Sequence, residues 1–185
     1  MVRSWAVAIF ALMLANAVPA AGTTISIGGT GSVTPDASCP APPLPPFDCP
    51  LLATGTGVDA SGLYGPWSFS SPFTLFSADP VSPTMFRNGG TFYYNDLTAA
   101  NNDFFGTFTG VFDLMTFSAN HSYVITGGTG AFAGASGFGT GSVQINPIDF
   151  SYAETTSFVI PLPSTLALFA VAVVVLLGSA RRKRA

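Results

Sequence analysis

Apolar and polar positions alternate with a period of two in a series of short runs along this chain. The clearest is 104–112, where Phe104, Gly106, Phe108, Gly110 and Phe112 share one face and Phe105, Thr107, Thr109 and Val111 the other. Phe104, Phe108 and Phe112 also fit a helical stripe. The two interior glycines and the threonines decide for strand, because both disfavour helix. Further runs at 23–27, 51–58, 67–76, 91–97, 115–117, 122–126 and 139–145 predict strands, and 150–160 predicts a last edge strand. Glycine, proline and asparagine separate them. Residues 28–31 and the triplet Asn88, Gly89, Gly90 predict turns, the latter needing positive φ, and Ala119 and Asn120 predict a bend.

Composition agrees with an all-β body. Between 22 and 160 the chain is rich in Gly, Thr and Phe and nearly devoid of Lys, Glu and Gln, the good helix formers. Its size suits one domain with one core. Glycines set between aromatics on one face suit a tightly curved sheet.

The two ends read differently. Residues 1–21 have the form of a secretory signal peptide, with Arg3, an apolar stretch over 5–14 and small residues at Ala15, Ala17, Ala20 and Ala21. The tail joins Pro161, Leu162 and Pro163 to an uncharged run over 166–180 and then Arg181, Arg182, Lys183 and Arg184. A helix over that run is roughly 22 Å long. That is short against a hydrocarbon core of about 30 Å, and flanking residues make up the difference. We therefore expect a transmembrane helix over 164–180, with the basic cluster in the cytoplasm and the body outside. The expected organisation is a signal peptide (1–21), an N-terminal strand with a proline-rich loop (22–50), a β-domain (51–160) and a sorting tail (161–185).

A short proline motif, a short apolar helix and a terminal Arg cluster, in that order, resemble the PEP-CTERM sorting signal of bacterial exported proteins in its Pro-Leu-Pro form, with Leu162 where the eponymous motif has Glu. The resemblance implies recognition by an exosortase-type membrane protease, transient anchoring in the inner membrane, and release or transfer to the surface or extracellular matrix. It concerns sorting rather than activity.

Export makes the charge informative. Once Arg3 and the tail are set aside, Arg87 is the sole base against nine acids, so the body carries about −8. Without a basic footprint, nucleic acid is excluded as a partner. Cys39 and Cys49 are the only cysteines and bracket a proline-rich stretch. In an exported chain we expect them to form a disulfide.

Residues Thr126, Gly127, Gly128, Thr129 and Gly130 invite a nucleotide-binding reading. The next glycine is Gly134, one residue too late for Gly-x-Gly-x-x-Gly, and the following stretch is too rich in Gly and Ser to hold the helix that motif needs. With the preceding Tyr123, Val124 and Ile125 and the following Phe132, the stretch instead resembles the strand–turn–strand signature of dirigent and allene oxide cyclase-like barrels. The resemblance spans 104–145. It implies that Gly127, Gly128, Thr129, Gly130 and Phe132 shape a hairpin of a small antiparallel β-barrel, and it carries over no catalytic residue. A β-sandwich is the alternative fold.

Candidate chemistry is sparse. His121, the only histidine, follows the predicted bend and reads as a solvated loop residue. Asp96, Asp103 and Asp113 are open to two functional readings, a carboxylate pair for glycoside hydrolysis or oxygen ligands for Ca²⁺, and to a plainer one as turn and strand-end aspartates. Trp67, Tyr93 and Tyr94 would stack on sugars if exposed and belong to the core otherwise. No catalytic residue and no metal site is assigned, and no cofactor is expected beyond an open question over Ca²⁺. The expected function is that of a structural or adhesive matrix protein associated with exopolysaccharide. The alternative is a barrel enzyme of isomerase or cyclase type with an apolar pocket.

Overall fold

In a computed structural model of the protein, residues 22–36, 50–79, 82–98 and 102–161 are described. The expected signal peptide over 1–21, the expected disulfide between Cys39 and Cys49, and the tail from Leu162 through Pro163 to Arg181, Arg182, Lys183 and Arg184 lie outside them. Among the described residues no helix is long and apolar enough to cross a membrane.

Eight antiparallel strands close into a barrel in sequence order. They are β1 (Gly22–Pro35), β2 (Pro50–Asp59), β3 (Trp67–Asp79), β4 (Ser82–Asp96), β5 (Asp103–Asp113), β6 (Ser118–Gly128), β7 (Gly137–Ile145) and β8 (Ser151–Pro161). A single 3₁₀ turn, Gly130–Phe132, interrupts the β6–β7 connection. The strands alternate between the interior and solvent, so all the predicted runs but 115–117 become one inward and one outward row. In β5 the inward row is Phe104, Gly106, Phe108, Gly110 and Phe112.

Closure overturns the sandwich alternative and the idea of a free final edge. The backbone N–H of Val33 donates to the carbonyl of Phe150, and the Thr156 hydroxyl to that of Ile27, across the seam where β8 meets β1. Strand lengths also differ from expectation. Residues 28–31 are not a turn, since β1 runs straight through them, and Asn88, Gly89 and Gly90 lie inside β4. Their glycines serve close approach instead. A methyl group on Gly90 would sit 2.2 Å from the carbonyl oxygen of Pro72, and one on Gly31 would sit 2.6 Å from the Tyr152 ring. The predicted bend at Ala119 and Asn120 is continuous β6, whereas 115–117, predicted as strand, belongs to the β5–β6 turn.

The interior is filled unevenly. At one end, where β1 begins and β8 finishes, Trp67, Phe92, Tyr94, Phe104, Phe132 and Phe158 form a plug of fully or almost fully buried rings. Their centroids lie 5.0 Å apart for Phe104–Phe158, 5.1 Å for Tyr94–Phe104 and 5.2 Å for Trp67–Phe104, mostly edge to face. Phe132, from the 3₁₀ turn, caps this plug against Trp67 and Tyr64. The opposite end carries the β5–β6 and β7–β8 turns and is not plugged.

The plug predicts a sharp contrast between faces. Phe104→Ala is expected to cost about 3–5 kcal/mol through lost transfer energy and the cavity left behind. Phe138, 63% exposed on the outer face of β7, is expected to tolerate Ala within about 0.5 kcal/mol. Denaturant unfolding of both variants checks this. Equal losses would mean that the plug does not hold the barrel closed.

Candidate functional site

Eight strands enclose an interior just wide enough to be filled by side chains or to hold one small ligand. This barrel is filled by side chains at one end and keeps a cavity at the other. Above the aromatic plug lies an apolar cavity of about 190 Å³. Its walls are Phe69, Phe73 and Leu75 of β3, Phe108 and Phe112 of β5, and Val143 and Ile145 of β7, with Leu51 and Ala53 of β2 opposite. At the unplugged end Phe117 and Phe150 border it, and both hold left-handed backbone angles, φ 52° and 56°. Bulky residues rarely adopt that region, and such strain concentrates around binding sites. The Gln144 amide steadies the first of these turns, donating to the carbonyls of Thr116 and Phe117 at 2.8 and 3.2 Å.

A few polar side chains interrupt this apolar lining. Asn88, Gly110 and His121 stand in one row across β4, β5 and β6. Gly110 is what lets the other two meet, because a methyl group there would lie 2.2 Å from the His121 ring and 2.5 Å from Asn88 Oδ1. Over that gap Asn88 Nδ2 and His121 Nε2 approach to 2.9 Å, while the other ring nitrogen lies 3.3 Å from the Tyr123 hydroxyl. On the far wall β8 points Tyr152 and Glu154 inward. Tyr152 lies over Gly31 and Gly55, where methyl groups would come 2.6 and 2.7 Å from its hydroxyl. Glu154 accepts one hydrogen bond, at 3.1 Å, from the hydroxyl of Tyr94, which rises out of the plug.

Burial dominates the electrostatics. It pushes the Glu154 carboxyl up to about 7, opposed only by the Tyr94 hydrogen bond, and pushes His121 down to about 4. Tyr94, Tyr123 and Tyr152 are raised, first by burial and then by the neighbouring Glu154. Around neutrality the site thus holds a neutral imidazole and a carboxyl balanced between its two states. Asn88 Oδ1 and the Tyr152 hydroxyl are buried with no protein partner. Buried polar atoms are nearly always satisfied, so these two leave unused hydrogen-bonding capacity in the cavity wall.

The other candidates fare differently. His121 is not a solvated loop residue. It sits within β6 and faces the interior, because the expected bend is absent and the pleat turns it inward. Asp103 and Asp113 occupy opposite ends of β5, ten residues or roughly 33 Å apart, so the three aspartates form no common site. Asp96 is bonded to Thr98, Asp103 to Tyr93, and Asp113 to Met115 and Thr116. Among the described residues no three His, Cys, Asp or Glu side chains come together as metal ligands. Trp67 and Tyr94 belong to the plug, while Tyr93 is 42% exposed outside. Gly127 and Gly128 end β6, Thr129 and Gly130 open the 3₁₀ turn, and Phe132 reaches the plug. Pro161 ends β8. Glu154 and Tyr152 escaped sequence reasoning, although Glu154 is the only glutamate in the chain and stands between Tyr152 and Thr156 on the inward row of β8.

No family model and no curated protein matches the chain.

The two titrating groups act on stability in opposite directions. Between about pH 4.5 and 7 the folded chain keeps the Glu154 proton that the unfolded chain has lost, so this residue's contribution falls as pH rises. Between about pH 6.5 and 4 the unfolded chain takes up a proton that folded His121 refuses, so its contribution falls as pH drops. Glu154→Gln is therefore expected to gain about 3 kcal/mol relative to wild type between pH 4.5 and 7. His121→Asn should gain relative to wild type toward acid. Denaturant unfolding across that range tests both, and an offset independent of pH in either variant would contradict the assignment.

Proposed function

We propose that the body of this protein is a binding barrel that holds a small, largely apolar molecule in its interior, and that a PEP-CTERM-type tail directs it to the cell surface or matrix. The cavity carries this reading. Its volume slightly exceeds the roughly 150 Å³ of an apolar cavity that takes up benzene, so it suits a single ring with a short substituent. Continuous apolar walls supply affinity, and a few polar atoms supply orientation, as in small-molecule sites generally. The address rests on the resemblance of the tail alone.

An exopolysaccharide-associated, adhesive role has one observation in its favour. On the outer face Tyr93 and Phe105 are cross-strand neighbours with parallel rings, centroids 6.0 Å apart and planes within 8°. The Tyr93 hydroxyl donates to Asp103 Oδ2 at 2.6 Å, which fixes the ring. A fixed, part-exposed aromatic pair is the kind of surface on which a sugar ring stacks.

Both readings are open to test. Benzyl alcohol added to the full chain in lipid nanodiscs is expected to shift the side-chain NMR signals of Phe108 and His121. Ala53→Phe, which fills the cavity, should abolish that shift without unfolding the protein. Absence of any shift in wild type would overturn interior binding. For the outer surface, Tyr93→Ala should weaken retention on the host's exopolysaccharide several-fold and leave benzyl alcohol binding intact. Unchanged retention would remove the adhesive reading.

A further inference from the structure

Resting on the interior-binding reading, we propose that the molecule held in the barrel is a protonated amine on a small apolar frame, its ammonium group bound by Glu154. Of the unpartnered buried atoms, the indole N–H of Trp67 lies in the plug and Asp103 Oδ1 at the start of β5, while the two that line the cavity, on Asn88 and Tyr152, can each accept a hydrogen bond. Asn88 Oδ1 is an acceptor only and has none, and the Tyr152 hydroxyl oxygen is likewise unpartnered, although each residue is only 5% exposed. Glu154 receives a single hydrogen bond, from Tyr94 to Oε1, which leaves its second oxygen without a protein donor. All three residues line the cavity and can accept an N–H, so the lining favours a ligand that donates hydrogen bonds, as an ammonium group does.

Charge points the same way. A buried carboxylate is costly unless a cation accompanies it. Among the described residues no cationic side chain lines this cavity. The only basic residue of the body, Arg87, is exposed on the outer face of β4. The titratable groups facing Glu154 are Tyr94 of β4, Tyr123 of β6 and Tyr152 of β8, none of them cationic. His121 is neutral above about pH 4. A ligand cation would therefore supply the missing charge, with aromatic faces around it that favour a cation further. The net charge of about −8 on the body draws cations from solution and repels carboxylates. Apolar acids, the other common cargo for a cavity of this kind, would meet Glu154 with no base to hold them.

Benzylamine, benzyl alcohol and benzoate share one frame and differ in charge, so their binding to the full chain in nanodiscs separates the possibilities. At pH 8 benzylamine is expected to bind roughly tenfold or more tightly than benzyl alcohol, and benzoate not detectably. Lowering the pH to 5.5, where Glu154 is protonated and benzylamine is still charged, should erase most of that preference and leave the alcohol unaffected. Glu154→Gln should bind both neutral and charged probes equally, and its retained alcohol binding shows that the barrel is intact. Equal affinity for amine and alcohol in wild type at pH 8 overturns the amine assignment and leaves interior binding standing, as does a preference that survives in Glu154→Gln. Failure of all three probes overturns interior binding itself.

Discussion

The structure depends on closing an eight-stranded sheet around an interior of fixed width. Once closed, the barrel has no free backbone edge, and each inward side chain competes for the same limited volume. Two devices manage that volume beside the ordinary aliphatic packing: a ring that reaches toward the axis, and a glycine that makes room for a side chain from a neighbouring strand. This chain uses both. Phe104 and Phe158 reach inward from opposite walls, whereas Gly110 stands aside for His121 and Asn88, and Gly31 and Gly55 stand aside for Tyr152.

The distribution of those choices gives the barrel two unlike halves. Rings of the plug pack at centroid distances near 5 Å and account for much of the buried apolar surface. That packing supports the other half, where the interior stays open and Glu154, Tyr152 and Asn88 are buried without full sets of partners. Unsatisfied polar atoms and a carboxyl forced up to about 7 reduce stability. A fold carries such groups at a functional site because the rest of the core outweighs them. Tyr94 joins the halves, with its ring in the plug and its hydroxyl on Glu154.

Several features were legible in the chain before any coordinates. The period-two alternation of 104–112, the shortage of helix formers and the glycine-rich composition pointed to a curved antiparallel sheet, and β5 follows that reading residue for residue. The punctuation was misread. Glycine at 28–31 and 88–90 signals a turn only when nothing large lies nearby, and in both places a long strand uses glycine for close contact. His121 was misplaced for a related reason: the neighbouring Ala119 and Asn120 resemble a bend locally, but pairing with β5 and β7 on both sides holds β6 straight.

Local alternation and composition, by themselves, determined that the chain forms strands, which positions share a face, and that the stretch over 22–160 is strongly acidic. These are properties of nearest neighbours and of sums over residues, which do not depend on how the chain closes. Only the tertiary structure decided that the sheet closes into a barrel and that Glu154 and Tyr152 of β8 face the same cavity as His121 of β6, with no cationic side chain among the described residues lining it. Those facts join residues far apart in sequence, such as Tyr94 and Glu154, sixty positions apart and in hydrogen-bond contact. Strand pairing and register bring such residues together, and no short stretch of sequence records either.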